Sequence, residues 1–335
     1  MVKRARKTPG KVAGARSALE QTLPLACADE KAAVEFMEEQ RWGDSPSCPK
    51  CGVEGECYKM TNAMTGLRND RYLWRCRACK QQYTVRVGTI MEDSKIPTTA
   101  WCYGFWKACE SKKGVSALQI QRATGLSYKS ALFMMHRIRW AMAPANELPK
   151  LTGTVEFDET YVGGKPRRFA YHPDGRKKPG PGYDFSKRMT PVVAGVERGG
   201  RVRARVVDKV NRVTLPNYVR EMVDTSADLM TDERRSYKPV GREYASHQTV
   251  HHRIGEYVRG HVYTNTIEGF FAGLKRQIKG THHSVSRKHL HRYVSEIEYK
   301  YNTRALNDGE RTQLAIRAGD GKRLTYKQQT GGIKV

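Results

Sequence analysis

Four cysteines constrain the fold of this chain more than any other residues in it. Cys48 and Cys51 in CPKCG, and Cys76 and Cys79 in CRACK, form two C-x2-C pairs separated by twenty-four residues. A two-residue spacer turns both sulfurs of a pair toward one point, and two such pairs complete a tetrahedral thiolate shell. The separation is slightly longer than usual, so an extended hairpin is expected between the pairs. Disulfides are the alternative, and a reducing compartment disfavours them. Four thiolates leave no open coordination position, so the single Zn2+ expected here stabilises structure and performs no chemistry. Of the eight cysteines, Cys27, Cys57, Cys102 and Cys109 fall outside the spacing and read as packed thiols.

Sixty Lys and Arg against thirty-four Asp and Glu leave a net charge of +26, spread over every segment. Cations gain affinity for phosphates by releasing counterions, so this balance points to a nucleic-acid partner. No apolar run approaches the roughly 18 to 20 residues that span a bilayer, and no apolar signal-peptide core follows the N-terminus. The expectation is a cytoplasmic, nucleoid-associated protein without a membrane partner.

Residues 1–28 read as a disordered basic arm. Ala33, Val34, Phe36 and Met37 recur at helical spacing behind a capping candidate, Asp29, and this helix and the cysteine region form a unit over 29–92. A helical module over 93–148 contains VSALQIQRATGLSYKSALFMMHRIRWAM, with a Gly125 turn and Ser127 as cap of a second helix. Helix, glycine turn, cap, helix is the helix-turn-helix arrangement that sets a recognition helix in the major groove, although a structural helical hairpin shares it. Tyr128, Lys129, His136, Arg137 and Arg139 are that helix's candidates for bases or phosphates.

From 149 to 305 strands and helices alternate. GTVEFDETYVGG is a strand with Glu156, Asp158 and Glu159 near its expected end, and only one of them need face a site. PVVAGVER and RVRARVVD form a hairpin around Gly199 and Gly200; a helix fits Leu215 to Val223, and ADLMTDE is a strand ending on Asp232. TNTIEGFFAGLKRQIKG is helical, with Asn265, Glu268 and Lys275 on one side. Three strands, a helix, a strand and a helix, with acids at the ends of the first and fourth strands and on the last helix, is the layout of a ribonuclease-H-like mixed sheet with flanking helices, an α/β fold. Hard divalent cations need such oxygen ligands, and two Mg2+ or Mn2+ ions can serve the attacking and leaving oxygens of a phosphodiester.

With CPKCG, CRACK, VEFDETYVGGK, MTDE and HVYTNTIEGFFAGLKRQIKGTHHSVSRKHLHRYVSEIEYKYNTR in view, the chain resembles bacterial insertion-sequence transposases of the ISXO-like family over about residues 30 to 305. The resemblance implies an N-terminal zinc ribbon joined to a DDE-type nuclease domain, and Asp158 and Asp232 as the first two catalytic carboxylates. The family's third position is often described as Asn with a following Lys, and both Asn265 and Glu268 are present. Glu268 follows Asp232 after thirty-five intervening residues and precedes Lys275 by seven, which matches a D-D-E spacing. On this reading Glu268 is the metal ligand, Asn265 an orienting or weak neutral ligand, and Lys275 a contact to phosphate at the transposon end. The partners implied are terminal inverted repeats and target DNA, bound by a homodimer or larger assembly.

His251 and His252 read as surface-loop residues, with approach to a metal-bound phosphate as the alternative. The insertion from Lys165 to Met189, with eight Lys or Arg, reads as a clamp on DNA backbone or a solvated connection. Leu290, Tyr293, Val294 and Ile297 read as core, and 306–335 as a basic C-terminal tail. Two rival functions fit parts of the pattern: a zinc-ribbon DNA-binding regulator would leave the spaced acids idle, and a ribonuclease-H-like nuclease without transposition would use them without joining ends.

Overall fold

The computed structural model describes residues 18–144, 148–163, 170–171, 177–178 and 189–331. Two expectations fall elsewhere: most of the basic arm and nearly all of the Lys165–Met189 insertion lie outside the described residues.

Helix α1 (Ala18–Ala26) precedes α2 (Glu30–Trp42), whose cap is Asp29, accepting the Ala32 amide at 2.7 Å. Part of the expected arm is therefore structured. Leu23 and Ala26 have apolar partners to bury against and enter the core. The ribbon follows as a three-stranded antiparallel sheet, β1 (Cys57–Lys59), β2 (Trp74–Cys76) and β3 (Gln82–Tyr83). Buried Glu38 of α2 fastens the ribbon, taking the Trp74 indole N–H at 2.7 Å and pairing with Arg68, while Trp42 meets Trp74 edge-on at 5.6 Å.

The helical module is α3 (Thr98–Glu110), α4 (Ala117–Thr124) and α5 (Tyr128–Met142). Gly125 ends α4 at φ 70°, a conformation glycine adopts without steric cost, and Ser127 caps α5 by accepting the Ser130 amide at 3.2 Å. The apolar sides of α1 to α5 share one core, and the region expected as a basic tail completes it. Helix α10 (Asp308–Arg317) buries Ala315 and Ile316 there, and α11 (Tyr326–Gly331) follows it. The tail expectation failed because the charged residues lie around a two-residue apolar contact too short to give a clear period.

The second unit is a five-stranded mixed sheet in the order β10-β9-β4-β7-β8. Its strands are β4 (Thr154–Gly163), β7 (Met189–Glu197), β8 (Val202–Val206), β9 (Asp228–Asp232) and β10 (Ser246–Val250). A short pair, β5 (Ala170–Tyr171) with β6 (Lys177–Lys178), falls between β4 and β7. The first three large strands are antiparallel, whereas β9 runs parallel to β4 and β10 parallel to β9. Parallel neighbours need a crossover, supplied by α6 (Thr214–Met222) before β9 and α7 (Tyr237–Gly241) before β10. A small hairpin, β11 (Val258–Arg259) and β12 (Val262–Tyr263), leads into α8 (Asn265–Gln277), and α9 (Leu290–Asn302) closes the unit.

Strand alternation sends Val155 and Phe157 into a core under α6 and α7, and Val162, Val192, Ala194 and Val196 into a core with Ile267, Phe270 and Leu274 of α8. The outer edge of β8 is occupied by side chains of α9: the Val202 amide donates to Asn302 Oδ1 at 2.8 Å, and Asn302 Nδ2 donates back to the Val202 carbonyl at 3.0 Å. The helical module joins this unit through Arg139 of α5 and Glu296 of α9, both buried and 2.7 Å apart.

Candidate metal centres and active site

In the ribbon the four cysteines converge, their ligand atoms all within 4.8 Å of one another. Cys48 and Cys79 sulfurs are 3.7 Å apart and those of Cys51 and Cys76 are 3.8 Å apart. Zinc–sulfur bonds of about 2.3 Å at tetrahedral angles give sulfur–sulfur edges of about 3.8 Å, so the donor set fits a zinc ion. The Cys79 amide points at the Cys76 sulfur at 3.5 Å and is the first cause holding that thiol down to about 7, toward the thiolate a metal binds. Cys102 and Cys109 are buried and Cys57 packs against the ribbon core, as expected of packed thiols.

At the sheet, the parallel register between β4 and β9 runs Thr154 to Asp228, Val155 to Leu229 and Glu156 to Met230. Carried two residues on, it sets Asp158 beside Asp232 on the same face, on strands about 4.8 Å apart. Asp158 therefore sits mid-strand and not at a strand end, because β4 continues along β7 to Gly163 after its pairing with β9 has stopped. Asp232 does end its strand. Glu268 lies in the first turn of α8.

Burial raises the Asp158 carboxyl to about 8, and the charges of Asp232 and Glu268 add to that rise against Lys275 and Arg234. Two acids and the expected lysine thus act on the Asp158 carboxyl. Burial also raises Asp232, although its carboxylate takes the Arg234 amide at 3.0 Å. An unbalanced group of carboxylates, offering only oxygen donors, suits Mg2+ or Mn2+. Asn265, at the start of α8, is exposed.

Alternation separates the three acids of the EFDE stretch. Glu159 faces the opposite side, pairing with Arg234 and accepting the Tyr237 hydroxyl at 2.7 Å. Glu156 is fully buried beneath α8 and serves as its cap. Its carboxylate accepts the Thr266 amide at 2.8 Å, the Ile267 amide at 3.0 Å and the Thr266 hydroxyl at 2.9 Å, where the helix's own Thr264 makes no capping bond. Arg198 donates to Glu156 at 2.7 Å, reaches the His261 and Tyr263 carbonyls, and stacks 3.6 Å from the Tyr263 ring centre. The first strand therefore both carries Asp158 and fixes the helix that presents Glu268.

Two families of known proteins match this architecture. Residues 150–302 match the ISXO2-like transposase domain and residues 28–82 the transposase zinc-ribbon domain, together more than half of the chain. Over these two stretches the chain is similar to ISXO2-like transposases. It is also 27% identical over 280 residues to an uncharacterized protein in transposable element ISH50 of Halobacterium salinarum, covering 81% of this chain and 90% of that one. A matched transposase domain with its zinc ribbon implies a DNA-processing enzyme that binds DNA. Among the described residues no helix is long and apolar enough to cross a membrane.

The sequence reading of three basic residues on α5 is corrected. His136 and Arg139 are buried, the latter against Glu296, and Arg137 spends a guanidinium nitrogen on the Ile90 and Glu92 carbonyls. Tyr128 and Lys129 remain exposed. His251 and His252, read as surface-loop residues, directly follow strand β10; His252 lies 3.8 Å from Glu268, and its charge opposes the burial that raises the Asp232 carboxyl. Glu156 and Arg198 were not singled out as active-site supports from sequence, and His252 was named only as the alternative to a surface-loop reading. The period-2 pattern of β4 carried the signal for Glu156, since an acid at an inward position demands a buried partner.

Proposed function

We propose that this chain cleaves DNA at the ends of an insertion sequence and joins the freed 3′ ends to target DNA. The observation that carries the reading is the placement of Asp158 beside Asp232 on parallel neighbours, with Glu268 acting on the same carboxyl. Asp158, Asp232 and Glu268 would hold the divalent cations, which when bound supply Lewis-acid polarisation of the phosphodiester and a nucleophile ionised at neutral pH. Asp158 and Asp232 present their carboxylates from a rigid sheet, and Glu156 with Arg198 orients the first turn of α8 so that Glu268 meets them. Glu268, whose charge acts on Asp158, is taken as the third ligand, and Asn265 at the start of α8 then orients a substrate or water oxygen. Lys275, on the same side of α8, contacts backbone phosphate, and His252, 3.8 Å from Glu268, helps to position that carboxylate.

The ribbon, held by a structural zinc ion at Cys48, Cys51, Cys76 and Cys79, and the α4–α5 pair, through Tyr128 and Lys129, would read the terminal repeats. Two ends must be joined in one event, so the active form is a dimer or larger assembly on DNA, working at the nucleoid. The test is Mg2+- or Mn2+-dependent strand transfer with a labelled transposon-end duplex. Joining that vanishes in both Asp158→Asn and Asp232→Asn while DNA binding persists is the expected result. Cleaved but unjoined ends would indicate a non-transposing nuclease, and intact binding without cleavage in the native protein a regulator.

A further inference from the structure

Arg292, in the first turn of α9, is 1% exposed, and its Nε and Nη1 have no hydrogen-bond partner. Its Nη2 reaches only the Gln328 carbonyl of α11, at 3.4 Å. A buried guanidinium without a counter-ion is strongly destabilising, so such a group calls for an anion. The acid one turn further along α9, Glu296, is already bound by Arg139 at 2.7 Å and Lys300 at 2.6 Å. No acid lies in α11, whose sequence is YKQQTG.

More unpaired nitrogens surround Arg292. His136 Nδ1 of α5, His289 Nδ1 of the turn before α9 and His291 Nε2 are buried without partners, and the His136 and His289 rings are 4.8 Å apart. Burial first, then the Arg292 charge (behind that of Arg139 for His136), holds all three imidazoles low, His136 at about 2 and the others at about 4, so they surround Arg292 as neutral rings that bring no counter-charge. Lys288 donates to the Thr330 carbonyl and Arg292 reaches that of Gln328, so the contacts α11 makes with this cluster are through main-chain carbonyls. Helix α11 is itself seated on the recognition helix, with Tyr326 edge-on to Phe133 at 5.2 Å and beneath the Lys129 ammonium at 5.3 Å.

We propose that Arg292, with His289, His291 and His136 beside it, forms a binding site for a phosphate-class oxyanion beneath α11. A guanidinium fork matches two oxygens of such an anion, and the imidazole nitrogens supply further donors. The site joins the recognition helix to the catalytic unit at a place remote from the carboxylates in the sequence, and it stands independently of the transposition reading. The anion is either a DNA backbone phosphate or free phosphate.

The experiment is thermal unfolding of the full-length zinc-loaded protein in low-salt buffer, with inorganic phosphate titrated against sodium chloride at equal ionic strength. The native protein should gain a few degrees in unfolding midpoint from phosphate beyond the chloride curve. Arg292→Met should be at least as stable as the native protein without phosphate and should lose that extra gain; Arg292→Lys, which keeps the charge and stem but not the fork, should retain only part of it and serves should the Met variant not fold. If a transposon-end duplex in phosphate-free buffer cancels the phosphate increment, the source is DNA backbone; an increment that persists on the DNA-bound protein assigns free phosphate. Superposed phosphate and chloride curves for the native protein, or an equal phosphate response in the Arg292 variants, would overturn the site, since phosphate then binds only the general basic surface.

Discussion

Four sulfurs of the ribbon lie within 4.8 Å of one another, each pair delivered by one short turn, whereas the three acids of the sheet come from a strand interior, a strand end and a helix. Among the described residues the cysteines are the only group of three or more His, Cys, Asp or Glu gathered that closely. The ribbon centre is local and closed, so it stabilises the segment that makes it. The three acids are brought together by the tertiary fold and gather less closely than the sulfurs, with the Asp158 carboxyl pushed up to about 8. A site with room for substrate oxygens must keep like charges near one another, and the surrounding fold bears that cost.

The comparison breaks most visibly if zinc is removed. Cys76→Ser, or a strong chelator, should unfold residues 44–83 while the five-stranded sheet persists, because structural zinc contributes on the order of 10 kcal/mol to such small folds. Zinc content and limited proteolysis read this directly, and loss of the sheet as well would mean the two centres are not separable.

Asp158→Asn should cut strand transfer by roughly a thousandfold or more with an opposite effect on stability. A carboxyl raised in the folded state contributes stability that is present below its unfolded value, about 3.9, and is lost as pH rises to about 8. The metal-free native protein should therefore lose stability over that window, and the Asn variant should lose less and melt higher at pH 8. For the same reason Mg2+ affinity of the native protein should climb with pH up to about 8, measured by titration calorimetry; a flat profile would show that Asp158 is ionised throughout.

Glu156→Gln leaves Arg198 without its buried partner and should cost about 3 kcal/mol. It should also raise the Mg2+ concentration for half-maximal joining, since α8 loses its cap, while DNA affinity stays put. Lys129→Ala, the mildest change, should lower DNA affinity uniformly across sequences and reduce the salt slope by about 1.

The ribbon was legible because its chemistry is written in consecutive residues: spacing alone places the sulfurs. The hairpin around Gly199 and Gly200, the caps Asp29 and Ser127, and the apolar stripe of α9 were legible for the same local reason. Which of Glu156, Asp158 and Glu159 faces the cleft was not, since that depends on which side of β4 meets α8. Arg139 and His136 looked like DNA contacts because helical spacing cannot tell a basic residue in water from one with Glu296 beneath it. Strand β10 was hidden by polar, histidine-rich composition, since a sheet-edge strand need bury little; only Val250 of its five residues is buried.

Helix α10 has a consequence for the order of synthesis. Its Ala315 and Ile316 close a core whose other walls, from Leu23 to Met142, leave the ribosome before the sheet unit has been made. The N-terminal module is finished only when the last tenth of the chain emerges. A copy of the element truncated before Asp308 would make a ribbon and a sheet but an incomplete helical core, so degenerate copies should yield unstable fragments in place of free-standing competitors for the transposon ends.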